Sequence, residues 1–595
     1  MLGTAKSLRA ILVAGMFAFN AVAQTSGPSS QTAKPGTAAQ KSKKRKPTQD
    51  LAGKVEALQG RLDQAQTQIQ QQQSTIERLE KSLQDSVQVL QQQQNQMQAS
   101  VQKTSEQASV AREAAIQAST EATSVKSSIG TVSESLRAQD TRVKNLESPT
   151  TFHYKGITLT PGGFLEATAL VRTRNENADI SNTYTGIPLN GTSNSKLSEF
   201  RGSARDSRLS LLLQANLNST TKLTGYYETD FLGAAPTANF VQGSSFTPRL
   251  RQAFIQIDKD SGWTVSAGQF WSLMTTNRHG IATRAEFIPS TSDGSYVVGF
   301  TWTRERSARV TKNFHNRIWA AFEVDDPEST YSAAFVPANI MGLNTSQNAS
   351  TGVLLLPFLA NYSNGQSTTL SPDFMAKVAF EPGWGHFEVK ALGRLFRDRI
   401  ASTATTNGHT NTTAGYGFGF GAILPVVKGK VDVVAEGLAG QGIGRYGAAG
   451  LPDVTLNPIN GEMRPLRQAR IMGGIEYHRN PRLDFYTYFG DEYAGRYAYT
   501  ATDTTGKVAP AGYGSRLVSY AQCTNEVAVN TCNGANRNIY ETTFGYWYRL
   551  YQGEFGRIQY GNQVAYMHRN LWSGIGRTPH GEDLVVYSTV RFYIP

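Results

Sequence analysis

Seven arginines carry the most suggestive chemistry in this chain. Arg278 and Arg284 share the stretch 272–303 with His279 and Glu286, and that stretch runs straight into Arg304, Arg306 and Arg309. Arg208 and Arg394 stand elsewhere, on segments where polar residues alternate with apolar ones. A guanidinium is a planar fork of donors that grips carboxylate or phosphate in a bidentate way. Such a cluster along a narrow polar passage lowers the barrier for anions and raises it for cations. The same side chains could instead pair with nearby acids and brace a wall, since ion pairs are common and individually weak. Both readings stand at this level. No reaction chemistry accompanies them. His153, His279, His315, His386, His409, His478, His568 and His580 are scattered, without a metal-ligand spacing or a nucleophile elbow. An enzyme would need an activated nucleophile. No catalytic residue, metal or cofactor is therefore assigned. Cys523 and Cys532 lie nine positions apart in a polar stretch and are expected to form a local disulfide in an oxidising compartment.

The N-terminal quarter says where those residues would work. Lys6 and Arg9 precede the short apolar run 11–19, and Ala21-Val22-Ala23 supplies a small-residue cleavage site, so residues 1–23 read as a secretory signal peptide. Residues 24–50 read as a disordered basic tail. Its run Lys41-Ser42-Lys43-Lys44-Arg45-Lys46 could touch anionic cell-wall or lipid material. Over 51–147 there is no proline, and apolar residues recur at 4-3 spacing through Leu51, Val55, Leu58, Leu62, Ala65 and Ile69. The pattern continues to Val143 and Leu146, with a stutter around Met97 and Val101. This is the signature of a coiled coil. A lone helix so polar would not hold, so the segment needs partner strands. At 1.5 Å per residue the rod is about 145 Å long. Pro149 ends it.

After residue 150 the apolar period falls from 3.5 to 2. Leu209, Leu211, Leu213, Ala215 and Leu217 alternate with Arg208, Ser210, Gln214 and Asn216. The same dyad sets Phe387, Val389, Ala391 and Leu395 against Glu388, Lys390 and Arg394. Short turns near 218–221, 259–262, 313–316, 382–385, 425–429, 479–482 and 551–553 alternate with long loops, which is the mark of an outer-membrane barrel. The predicted fold is therefore an all-β transmembrane barrel over 151–595, with about sixteen antiparallel strands, preceded by the α-helical coiled coil. The 295–313 region could hold one long strand or two short ones. A composition of 55 Gly, 25 Tyr and 27 Phe with only 17% charged residues agrees. Trp263, Trp319, Tyr546, Tyr548 and Tyr566 fall where interfacial girdles are expected. The polar parity, including Arg208, Arg309 and Arg394, would face an aqueous lumen, with loop 272–303 as the constriction.

The order of signal peptide, coiled coil and barrel, with Ala267-Gly268-Gln269-Phe270-Trp271-Ser272 leading into the third long loop, resembles the DcaP-like outer-membrane porins. The resemblance implies a homotrimer with three coils joined in one periplasmic rod. It also implies placement in the outer membrane of a Gram-negative-type cell and passive diffusion of small anionic solutes, dicarboxylates in particular. Outer-membrane lipid would be a partner, peptidoglycan a possible one, and nucleic acid none. The phosphate-selective porins are similar in barrel plan. The chain ends Arg591-Phe592-Tyr593-Ile594-Pro595, whereas such barrels usually finish on an aromatic residue. Alternatives are a trimeric adhesin, in which each chain would supply only a short barrel segment, and a tether between outer membrane and cell wall.

Overall fold

The computed structural model describes residues 151–233, 247–332, 340–341, 369–502, 506–526, 532 and 534–595, together with Gly60, Ser133 and Glu134. Apart from those last three, which are helical, the signal peptide, the basic tail and the coiled coil lie outside the described residues. The chain divides into two units, Met1–Ser148 and Pro149–Pro595. The second is a closed antiparallel barrel. Among the described residues no helix is long and apolar enough to cross a membrane.

Sixteen strands form the barrel wall. The first eight are β1 (Ile157–Arg172), β2 (Arg208–Asn218), β3 (Thr221–Asp230), β4 (Arg249–Lys259), β5 (Trp263–Trp271), β6 (Arg304–Phe314), β7 (Ile318–Asp325) and β8 (Asp373–Phe380). They continue as β9 (His386–Ile400), β10 (His409–Val427), β11 (Val431–Gln441), β12 (Arg467–Asn480), β13 (Leu483–Ala494), β14 (Asn536–Gly553), β15 (Gly556–Leu571) and β16 (His580–Tyr593). Each pairs with its chain neighbours. Closure is made by β1, which bonds to β2 from Thr158↔Gln214 to Phe164↔Arg208 and to β16 from Phe164↔Tyr593 to Arg172↔Val585. Hydrocarbon offers no water to satisfy a sheet edge, so only a closed ring is stable there. Fourteen of the strands have at least the ~9–11 residues needed to cross at a tilt, β7 and β8 have eight each, and the longest extend beyond that at the loop end. Short turns and long loops alternate as the sequence reading expected. The 295–313 ambiguity resolves into the single strand β6, because 295–303 belongs to the preceding loop.

Alternation decides which way each side chain points. On β9 the even positions Glu388, Lys390, Arg394 and Asp398 are buried toward the lumen, while Val389 is exposed on the outer wall. Phe322, Phe374, Phe418, Ile471, Phe489 and Phe544 lie on that outer wall as well. Trp263, Tyr548 and Tyr566 are exposed as girdle residues should be. Trp319 is not: it is 5% exposed, faces inward, and packs against His279 with ring centroids 5.5 Å apart. Its place on β7 has the parity of Ala321 and Glu323, which the strand-end position alone did not reveal. Cys523 and Cys532 form a disulfide in the seventh long loop, and Cys523 packs with Leu189, Val518, Tyr520 and Leu571.

Candidate functional site

The loop 272–303 folds into the barrel rather than over it. Phe287, Tyr296, Val297 and Phe300 pack with the wall residues Trp271, Met472, Tyr486, Tyr488 and Trp547 in one buried cluster. The lumen is thus partly filled on the side of β11–β14 by the loop that the sequence reading expected to narrow it. What draws the loop inward is its backbone. Its amides donate to wall carboxylates: Leu273 to Glu323 at 2.8 Å, Asn277 to Glu388 at 2.9 Å, Val298 to Glu541 at 2.9 Å, Gly299 to Glu492 at 3.0 Å and Thr301 to Glu436 at 2.8 Å. Lys377 and Lys390 bond the carbonyls of Thr275 and Met274 from the opposite polarity. Hydrogen bonds to charged groups contribute about 1.5–3 kcal/mol each, so this row of acids anchors an irregular segment that could not otherwise be buried. The fit is close. A side chain at Gly490 would place its Cβ 1.7 Å from the Val298 carbonyl oxygen.

The arginines divide by what they touch. Arg309 is buried, pairs with Glu323 and lies over the Phe270 ring at 4.8 Å. Arg394 is buried too, with Asp373 at 2.9 Å, Asp453 at 2.8 Å and the Gly442 carbonyl at 2.6 Å. Both brace the wall. Arg278 reaches from the loop to both oxygens of Glu476 at 3.0 Å and covers Phe287. Arg306 corrects the expectation that it lines the pore. It shares the exposed parity of Ala308 and Val310 on β6, opposite to Ser307 and Arg309, and pairs with Asp326. Its neighbours in sequence face the lumen; alternation turns it outward.

Arg208, Arg284 and Arg304 do come together, at the loop end of β2–β6. Arg304 opens β6 and lies over Trp271 at 5.0 Å and Trp302 at 5.3 Å. Its Nε and Nη1 are shielded from water and have no hydrogen-bond partner. Arg208 lies over Phe164 at 5.1 Å, and its Nε is likewise unpartnered. Arg284 covers Tyr226 at 4.7 Å. Sequence reasoning missed two more. Arg249 forks onto Asp230 at 3.1 and 2.8 Å. Arg251 bonds Glu228 at 2.6 Å, Asp230 at 2.7 Å and the Tyr296 hydroxyl at 3.1 Å. Arg251 is the extra residue of a β-bulge: the β3–β4 register passes from Glu228↔Gln252 to Thr229↔Leu250, so Arg251 and Gln252 are both buried. A bulge puts two successive residues on one face, and no periodicity reports it. Arg249 and Arg251 are thus the guanidiniums that contact Glu228 and Asp230, Arg208 and Arg304 stand within electrostatic reach of Glu228 and of Tyr296 on the inward loop, and Arg284 covers Tyr226, whose hydroxyl donates to Glu228. The arrangement is a positively charged recess with aromatic walls and unspent donors.

A search of solved structures finds the same barrel. The outer membrane channel DcaP of Acinetobacter baumannii matches with a TM-score of 0.50 at 14% identity, over 74% of this chain and 99% of that one. The likeness is one of fold. An anion-selective porin from Comamonas acidovorans matches over 74% of this chain and 100% of its own at 10% identity, with a TM-score of 0.38. No family model matches the chain, and no curated protein matches it in sequence. The expected resemblance to the DcaP-like barrel plan is borne out in the sixteen strands.

Proposed function

We propose that the chain is an outer-membrane porin that lets small hydrophilic solutes diffuse passively and favours anions, dicarboxylates among them, through the recess of Arg208, Arg251, Arg284 and Arg304. The observation that carries the reading is Arg304. Its guanidinium is desolvated over two indole rings, with two donors unmatched, among further guanidiniums. No acceptor of the protein takes those two donors, so the charge is not spent on an internal hydrogen-bonded pair and acts on a passing anion through low-dielectric surroundings. Positive potential in a low-dielectric pore also raises the local anion concentration. The heptads of 51–147 call for partner helices, which supports a homotrimer whose coils join in the periplasm and whose basic tail reaches toward peptidoglycan.

The deciding measurement is the reversal potential of the full chain in a planar bilayer under a salt gradient. Wild type should prefer anions. Arg208→Gln/Arg304→Gln should lose most of that preference with the channel still open. An unchanged preference in the double variant would remove the recess from the reading. Deleting 51–147 tests the coil separately: conductance should survive while the trimer weakens and sedimentation with purified cell wall is lost.

A further inference from the structure

At the turn end of the barrel a second group of side chains meets in the lumen, far along the strands from the arginine recess. Asp432 on β11 is the direct register partner of Glu476 on β12, and His478 is the next residue of the same parity on β12. One ligand atom from each of the three lies within 4.8 Å of the other two. The third strand orients the imidazole. Nδ1 of His478 lies 2.9 Å from Oδ1 of Asp484, its register partner on β13. With the ring proton on Nδ1, donated to that carboxylate, the Nε2 lone pair is free to bind. That lone pair faces Asp432, whose Oδ2 is 3.8 Å away, too far for a hydrogen bond. A carboxylate holding the far nitrogen of an imidazole, while the near nitrogen faces further carboxylates, is the support that metal-binding histidines receive.

We propose that Asp432, Glu476 and His478 bind a borderline divalent transition-metal ion such as Zn2+. One imidazole and two carboxylates suit zinc or its neighbours better than calcium or magnesium, which take oxygen ligands alone. Ligands about 2.0–2.2 Å from the ion require the three atoms to close in slightly. The half-buried side chains of His478 and Asp432 can adjust, and a fourth position stays open to water. Glu476 is shared with the loop. Its Oε1 receives Tyr488 at 2.6 Å, Ser290 at 3.1 Å and Arg278, but its Oε2 receives Arg278 alone. The ion competes with Arg278 for Oε2, so metal binding loosens the tip of the inward loop and alters the current. The site rests on the barrel alone and stands whatever solute the channel prefers.

The test uses the purified full chain in detergent with Co2+ as a spectroscopic probe and Zn2+ as competitor. One Co2+ per chain should give the visible bands of a four- or five-coordinate site, and Zn2+ should abolish them. His478→Ala and Asp432→Asn should lose the bands. Asp484→Asn should weaken binding about 10–100-fold through the imidazole it orients. His279→Ala, another lumen histidine at the same end, should leave them intact. Failure of wild type to bind at micromolar Co2+, or bands that persist in His478→Ala, would overturn the assignment. Conductance with Zn2+ on the turn side then reads the link to Arg278, and a Zn2+ effect equal in wild type and His478→Ala would refute that link.

Discussion

Arg251 holds Glu228 through Nε at 2.6 Å from a position that breaks the rhythm of its own strand. Alternation would turn one of Arg251 and Gln252 to the lipid; the bulge sends both inward. The pair does two jobs. It neutralises a carboxylate that would otherwise repel anions, and it ties β3 and β4 to Tyr296 of the inward loop. Arg251→Gln should therefore leave Glu228 without its arginine partner, while Asp230 keeps Arg249, and move the reversal potential toward cations. Removing one partner of a buried pair costs about 3–5 kcal/mol, so the heat needed to melt the barrel in detergent should fall. Arg251→Gln/Glu228→Gln should regain much of both losses. A double variant no better than the single one would show that the two do not act as a pair.

The seat of the inward loop admits a second test. Gly490 lies on the lumen face of β13, and the Val298 carbonyl occupies the place of its missing side chain. Gly490→Val cannot be accommodated with the loop in place. Overpacking costs about 1–3 kcal/mol, and the loop can avoid it by leaving the wall. The expected result is a wider channel, seen as higher single-channel conductance, together with new protease cleavage within 272–303. Conductance at the wild-type level with no new cleavage would mean that β13 gives way instead.

The barrel was legible because its two-residue period and the alternation of short and long links are local signals that burial enforces throughout. Arg309 and Arg394 were correctly placed inside by parity, yet parity carries no partners, so their pairing with Glu323 and with Asp373 and Asp453 came only with the fold. Arg306 was misplaced because adjacency in a cluster was given more weight than alternation. Arg251 was missed because a bulge leaves no periodic trace. The grouping of Asp432, Glu476 and His478 depends on the register between β11 and β12, which brings Asp432 beside residues more than forty positions further along the chain. The row of wall acids looked like opposition to the arginines. Its work on the loop amides depends on a long irregular segment turning inward, and no propensity specifies that path.

The disulfide offers a prediction confined to the loop end. Cys523 and Cys532 close a short loop and sit against Leu189 of the first long loop and Leu571 at the end of β15. Closing a loop of this size limits the unfolded chain by about 2–3 kcal/mol in the entropy view. Cys523→Ser/Cys532→Ser should expose 515–535 to protease several-fold faster while leaving ion selectivity and the melting of the barrel unchanged. A shift in reversal potential would show that this loop reaches the conduction path.

The last prediction concerns pH at the first long loop. Glu176 lies just beyond β1, fully buried, with Arg172 Nε 3.8 Å away and the Thr183 amide bonded at 2.9 Å. Burial is the largest influence and outweighs the arginine, so its carboxyl is pushed up to about 8 from an ordinary 4.5, with Asp583 adding to the rise. The folded loop therefore binds a proton that the open loop releases over that interval. Below about 4.5 both forms are protonated and there is no penalty; from there to about 8 the folded form is progressively disfavoured as pH rises, and above 8 the loss is complete. The protection factors of amides in 174–183, measured by hydrogen exchange and corrected for intrinsic rates, should fall between pH 5 and pH 8 and then level. Glu176→Gln keeps the shape and removes the charge, so its protection should be flat across that range. Equal slopes in the two proteins would assign the pH response to another group and return Glu176 to the charged state beside Arg172.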